Sequence, residues 1–241
     1  MEEVSMNAWP SLQTNIYDGW IIRFANGYTK RANSINPLYS SEINIENKIN
    51  FCETLFKNKD LPIVYKLNKE SEPPELENEL EKKGYEKTDL TSVQVLNLSK
   101  FKDIECSSCI VDTDMNDNWL QSFGELSKIK DEERLTLKEM LSNNTAKNYY
   151  FKLIKDGHIV ACGLGVKESI YFGLFDIIVD EKNRGKGYGE KLLQEMLSFA
   201  KRSSAKKAYL QVVANNYPAQ RLYKKIGFKE IYKYWYRVKK I

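Results

Sequence analysis

Two groups of side chains in this sequence have the types and spacing to do chemistry. The first is Arg184-Gly185-Lys186-Gly187-Tyr188-Gly189. It lies between an apolar run, residues 172–179, and a stretch in which Leu192, Leu193, Met196, Leu197 and Ala200 recur at helical spacing. A strand, a glycine-rich turn and a helix start in that order aim several backbone N–H groups at one point, so the place binds a phosphate or pyrophosphate. A P-loop would need Ser or Thr after a Gly-Lys pair, and a Rossmann turn would need a third glycine where Glu190 stands; both patterns fail. The second group is Cys106-x-x-Cys109, the spacing of a zinc half-site or a redox pair. Zinc would need two more ligands, and the single histidine, His158, falls in an Asp156-Gly157 hairpin turn. A redox pair would open a helix, whereas Ile110-Val111 reads as strand. The expectation is no metal, with Cys52, Cys106, Cys109 and Cys162 all reduced.

Composition sets the outer bounds. The chain has 241 residues, enough for one large domain or two small ones, and its 42% hydrophobic and 29% charged residues are ordinary for a globular protein. A net charge of +4, spread along the chain, is too weak to argue for nucleic acid, and no nucleic-acid partner is expected. The start, Met1-Glu2-Glu3-Val4-Ser5, lacks the apolar core of a signal peptide, and no apolar run approaches the ~20 residues of a membrane span. No membrane association and a cytoplasmic location are therefore expected.

Periodicity places the elements that must position the glycine-rich run. Residues 20–25 read as a strand, Asn26-Gly27 as a hairpin turn, and residues 28–34 as the return strand. A helix over residues 45–56 follows, then a strand over 61–67, a helix over 73–83 stopped by Gly84, and a strand over 91–98. Residues 99–108 form a polar linker. Beyond it come helices at 116–129 and 131–141, a hairpin of 149–155 with 159–166, and the strand 171–179 before the glycines. After the helix behind them stand a strand at 208–213, a helix at 217–225 and an aromatic strand at 231–238.

The spacing Arg184-x-x-Gly187-x-Gly189 after Ile177-Ile178-Val179 resembles the coenzyme A pyrophosphate loop of the GNAT superfamily of acetyltransferases. A second stretch, Asn216-x-x-Ala219-x-x-Leu222-Tyr223-x-x-x-Gly227-Phe228, resembles that family's other cofactor-lining segment, in the right order and at the right separation. The resemblance covers roughly residues 112–241. It implies an α/β fold with a mixed, mostly antiparallel twisted sheet flanked by helices. It also implies transfer of an acetyl group from acetyl-CoA, as donor substrate, to a small-molecule or peptide amine by direct attack with both substrates bound. Backbone groups of Ile177 and Val179 would hold the pantetheine arm, residues Arg184, Gly185, Lys186, Gly187, Tyr188 and Gly189 the pyrophosphate, and Asn216 the pantetheine from the opposite strand. Tyr223 would be the general acid that protonates the departing thiolate. Many relatives carry a glutamate base where this chain has Phe175; the neighbouring Asp176 is the candidate, although regular alternation would turn it to the opposite face unless a bulge intervenes. A non-catalytic acyl-CoA sensor is the alternative that Phe175 raises.

The two halves echo each other: Leu80-Glu81-Lys82-Lys83-Gly84-Tyr85 lies against Tyr223-Lys224-Lys225-Ile226-Gly227-Phe228. The expected organisation is a degenerate GNAT-like domain over residues 1–100 and a catalytic domain over residues 110–241, in a monomer or homodimer. The first half has no glycine in Arg31-Ala32-Asn33-Ser34-Ile35-Asn36-Pro37, so one cofactor site per chain is expected. Arg31, Asn33, Ser34 and Asn36 crowd polar groups into a predicted strand end and are the candidates for an acceptor wall between the halves.

Overall fold

The computed structural model describes residues 1–104 and 109–240. The chain divides into two compact units that use it in alternation. The first comprises Met1–Pro10, Gln94–Val212 and Tyr217–Glu230; the second comprises Ser11–Val93, Val213–Asn216 and Ile231–Ile241.

The second unit is built on strands β1 (Gln13–Tyr17), β2 (Trp20–Phe24), β3 (Ile35–Pro37) and β4 (Ile63–Asn68), with β11 (Lys229–Lys239) filling the other edge of β4. Every step is antiparallel except β3 to β4. The tight hairpin turn is Asp18-Gly19, both at positive φ, which joins β1 to β2. Asn26-Gly27 also turns at positive φ, but residues 28–34 return as an irregular loop and not as the expected strand. The physical reason is Asn33. Its Oδ1 accepts from the N–H groups of Ala25 (2.7 Å) and Gly27 (2.9 Å), and its Nδ2 donates to the carbonyls of Thr29 (2.8 Å) and Ala25 (3.3 Å). One side chain thereby replaces a ladder.

One face of this sheet packs against α2 (Ile45–Lys57) and α3 (Leu76–Lys82). Trp20, Ile22, Phe24, Ile35, Tyr65 and Leu67 meet Ile49, Cys52, Phe56 and Leu80 there. Asn44 caps α2 by accepting from Glu46 N–H. Lys48 is buried on the same helix, its Nζ 3.0 Å from Asp18 Oδ2 and 4.2 Å from the centre of the Trp20 ring. On β11, Arg237 is 5% exposed; its Nη2 lies 2.9 Å from Glu77 Oε1 and 3.3 Å from Glu81 Oε1, and its Nη1 donates to Tyr85 O.

The first unit opens with α1 (Glu2–Ala8), which periodicity did not reveal, and continues from β5 (Glu86–Asn97), inside which the division between the units falls. Its sheet runs β10 (Lys207–Val213), β9 (Tyr171–Val179), β8 (His158–Glu168), β7 (Lys147–Lys155), β6 (Cys109–Asp112). β10 and β9 are parallel and the remaining steps antiparallel. Helices α4 (Asp117–Ser127), α5 (Asp131–Ser142), α6 (Tyr188–Arg202) and α7 (Tyr217–Ile226) complete it. The expected fold class, a mixed and mostly antiparallel twisted sheet flanked by helices, is the one the chain forms. The core joins Leu192, Leu193, Met196, Leu197 and Ala200 of α6 to Phe151, Leu153, Phe172 and Leu174 of the sheet.

Glycine at 173 is a packing requirement. A Cβ there would stand 2.5 Å from Phe175 Cε2 and 2.7 Å from Tyr209 Cζ. Gly173→Ala should destabilise the protein by about 1–3 kcal/mol, the range for overpacking a core, read in a denaturant titration; an unchanged midpoint would contradict this packing. Among the described residues Cys52 and Cys162 are free thiols, and burial pushes both up to about 12. Cys106 of the C-x-x-C spacing lies outside the described residues. No helix of the described residues is long and apolar enough to cross a membrane.

Candidate active site

β9 is interrupted where the chemistry was sought. On β8, Cys162 pairs with Ile178 and Leu164 with Phe175, so Gly163 alone faces two residues, Asp176 and Ile177. This is a β-bulge, and Asp176 takes the left-handed conformation at its centre, φ 49°. Aspartate tolerates that region better than most residues, at a modest energetic cost. Strict alternation stops there, so the rule that would turn Asp176 away from Phe175 does not apply across it. Phe175 itself is buried, stacked on Trp9 with ring centres 5.6 Å apart and edge-on to Tyr209 at 6.0 Å. Where relatives were expected to present a carboxylate, this chain builds an aromatic wall.

On its other edge β9 parts from its neighbour. The parallel ladder pairs Tyr171–Leu174 with Lys207–Leu210, and both strands run on beyond the last pair, β9 to Val179 and β10 to Val213. Ile177, Ile178 and Val179 therefore continue past the β10 ladder and lead directly to the glycines.

The loop after β9 is built from short-range contacts. Asp180 Oδ2 accepts from Asn183 Nδ2 at 2.7 Å, and Asn183 Oδ1 accepts from Lys186 Nζ at 3.1 Å. Arg184 Nε stands 3.4 Å from Val179 O. Gly185 (φ 77°) and Gly187 (φ 85°) both need the left-handed region, and a Cβ on either would meet nothing within 4 Å. The space beside both glycines is open. Gly187 caps α6, whose first turn begins at Tyr188. A Cβ on Gly189 would touch Val179 Cγ2 at 3.5 Å and Leu222 Cδ2 at 3.8 Å. The end of β9, the start of α6 and one face of α7 thus meet at a single place.

Tyr223 lies on α7, half-buried, with its ring 5.9 Å from Phe228. Its carbonyl accepts from the N–H groups of Gly227 and Phe228, which ends the helix. Burial pushes the phenol up to about 12. Asn216 stands at the step from β10 into α7, its N–H on Val213 O at 3.0 Å.

Lys128, the left-handed C-cap of α4 (φ 58°), was not apparent from the sequence. Its Nζ reaches Glu181 Oε2 at 2.8 Å, while Arg184 Nη2 stands 4.0 Å from Glu181 Oε1. The Lys128 hydrogen bond and charge hold the Glu181 carboxyl below its ordinary value. The signal that could have found it is a lysine where a glycine is usual.

The four residues sought as an acceptor wall all lie in the second unit. Asn33 is occupied in the loop as described. Ser34 and Asn36 are buried, and Asn36 Nδ2 donates to Ile21 O (3.2 Å), Ser34 O (3.0 Å) and Ser34 Oγ (3.3 Å). Arg31 offers its carbonyl to Arg23 Nη1 at 2.9 Å.

Other proteins share the family and the fold of this chain. A family described as "Probable histone acetyltransferase Rv0428c C-terminal" matches residues 1–237. The chain is 27% identical to the uncharacterized N-acetyltransferase YobR of Bacillus subtilis (strain 168), over all of this chain and 98% of that one. It shares its fold with a GCN5-related N-acetyltransferase from Kribbella flavida (TM-score 0.70, 10% identity, 98% and 94% of the two chains). A tandem GNAT protein from the clavulanic acid biosynthesis pathway has the same fold (TM-score 0.62, 13% identity, 80% and 69%). With the family match running almost from end to end, the chain belongs to the Rv0428c acetyltransferase C-terminal family and is a GNAT-superfamily N-acetyltransferase.

Proposed function

We propose that the protein moves an acetyl group from acetyl-CoA to an amine by direct attack while both substrates are bound. The observation that carries this reading is the bulge at Asp176–Ile177 together with the parting of β9 from β10. It leaves Ile177 and Val179 beyond the ladder and leads into two left-handed glycines at a helix start. In this reading backbone groups of Ile177 and Val179 align the pantetheine arm as an added strand, and an N–H there polarises the thioester carbonyl. The pyrophosphate lies against the N–H groups of residues 185–189, with Arg184 and Lys186 supplying charge, and Asn216 contacts the pantetheine. Positioning contributes much of the rate, since attack needs no covalent intermediate. Tyr223 donates its proton toward the departing sulfur, and Asp176 takes a proton from the amine or anchors it.

Saturable binding of acetyl-CoA in calorimetry, and thiol release that depends on an added amine, are the expected results. No binding at millimolar donor would sink the proposal. Gly187→Val tests the loop separately: a β-branched residue at φ 85° costs about 1–2 kcal/mol and fills the open space beside this position. Acetyl-CoA affinity should fall about tenfold or more, and unchanged affinity would place the phosphates elsewhere.

A further inference from the structure

Helix α1 has seven residues, well short of the ~12–15 at which an isolated helix holds in water, so tertiary contacts must keep it folded. Those contacts lie within the first unit. Tyr209 Oη donates to Val4 O at 3.3 Å, and Gln211 Nε2 donates to Ser5 Oγ; both side chains stand on β10. Asn7 Nδ2 donates to Glu168 Oε1 of β8 at 2.8 Å, and Asn144 Nδ2 donates to Ala8 O at 3.2 Å. β10 and β8 flank β9 in the sheet, so the helix is tied to both neighbours of β9.

At its C-cap α1 meets β9 itself. Trp9 is 1% exposed and stacks on Phe175, the two rings 19° from parallel. Tyr209 closes edge-on against the same ring, and a Cβ at Gly173 would stand 2.5 Å from Phe175 Cε2. Phe175 is thus held by Trp9, by Tyr209 and by the backbone at Gly173. The next residue is the left-handed Asp176. A residue other than glycine stays in that region only where its surroundings over-determine it. The pairing with β8 shifts across these residues, so the hold on Phe175 sets where the bulge begins.

We propose that Trp9 is a positioning residue for the donor. Through Phe175 it holds the turn at Asp176, and with it the backbone of Ile177 and Val179 that receives the pantetheine arm. Buried as it is, Trp9 acts through Phe175 and not on the donor. This inference rests on the reading of that backbone as the donor's seat, and it assigns the N-terminal helix a part in donor binding.

Calorimetry on the full chain tests it with two probes: acetyl-CoA, and ADP, which carries a pyrophosphate but no pantetheine arm. Trp9→Leu should weaken acetyl-CoA about tenfold, the worth of about one main-chain hydrogen bond, and leave ADP within about twofold. Trp9→Phe keeps a stacked ring and should hold acetyl-CoA to within about twofold of the parent. Hydrogen exchange at the amides of residues 176–179 should quicken about tenfold in Trp9→Leu while the amides of β7 keep their rates. A residue that only fills the core would weaken both probes together or quicken exchange across the whole unit. Either result would overturn the proposal, as would equal binding of acetyl-CoA by the parent and Trp9→Leu. If Trp9→Leu does not fold, Tyr209→Phe carries the same tests, since it keeps every ring and removes only the hydroxyl that reaches Val4 O. It should weaken acetyl-CoA about threefold, and no change would overturn the proposal. If ADP binds the parent too weakly to measure, the exchange pattern decides. A parent that does not bind acetyl-CoA removes the transfer reading, and exchange then reports alone whether Trp9 holds the bulge. Donor binding that Trp9→Leu leaves intact removes only the role of Trp9.

Discussion

Replacing Tyr223 by phenylalanine should lower kcat by about 10²-fold or more, the ordinary contribution of a positioned acid, and leave the affinity for acetyl-CoA nearly unchanged. The ring, its contact with Phe228 and the helix end all survive the change, because only the hydroxyl is removed. Burial holds the phenol up to about 12, two pH units above the value of about 10 for a free tyrosine. The sign follows directly: the donor form is the one populated below that value, so it persists throughout the neutral and mildly alkaline range. A rate profile for the unaltered enzyme should therefore show no alkaline fall from this group below about pH 11. The same shift widens the gap to a thiol of about 8.5, so complete transfer to sulfur is uphill by roughly 5 kcal/mol before the substrate changes the surroundings. In the proposed reaction the phenol would therefore act early as a hydrogen-bond donor to the developing thiolate. An equal loss of kcat and donor affinity would instead assign Tyr223 to packing, and a steep fall above pH 9 in the parent that disappears in Tyr223→Phe would contradict the raised value.

The second large effect is on stability. Arg237→Met removes the partner of Glu77 and Glu81 from β11 and empties the hydrogen bond to Tyr85 O. Breaking a buried pair from one side costs about 3–5 kcal/mol, and the partial exposure of Glu77 and Glu81 puts this one near the lower end. About 3 kcal/mol corresponds to a melting point lower by roughly 6–12 °C for a chain of this size. For Glu77, burial alone would raise the carboxyl, but Arg237, Trp235 and Lys87 outweigh it and hold it below its ordinary value. A carboxyl with a depressed value contributes stability that is present above about pH 4.3 and lost as pH falls through the folded value. The difference between parent and variant should therefore be full at pH 7 and shrink in acid. Combining Arg237→Met with Glu77→Met should recover part of the loss, since Glu77 then no longer carries a charge stripped of its strongest partner. A deficit that is constant down to pH 3, or no recovery in the double variant, would show that the cost lies in packing.

What the sequence disclosed was local. The strand ending at Val179, the glycines and the helix behind them stand where periodicity and spacing put them, because each depends on neighbours a few residues away. The bulge could be named only as a condition, since it is set by the pairing of β8 with β9 and no residue type at Asp176 demands it. The return strand expected at residues 28–34 failed for a related reason. Asn26-Gly27 does make the turn, but the stronger two-residue hairpin is Asp18-Gly19, and the four hydrogen bonds of Asn33 hold the later segment as a loop. β1, with no buried residue in its burial pattern, gives no alternating signal to read. Trp9 behind Phe175, and Lys66 beside Tyr234, join segments far apart in sequence, and no window of the sequence contains both partners.

The alternating use of the chain has a consequence for the order of events during synthesis. β4 leaves the ribosome long before its antiparallel partner, which is paired through Tyr234 to Lys239. Trp9, conversely, waits through some 160 residues of synthesis for Phe175 to arrive. Each unit waits for a segment made well after its first strands, and a ribosome stalled before residue 231 would hold one unit with an unfilled edge.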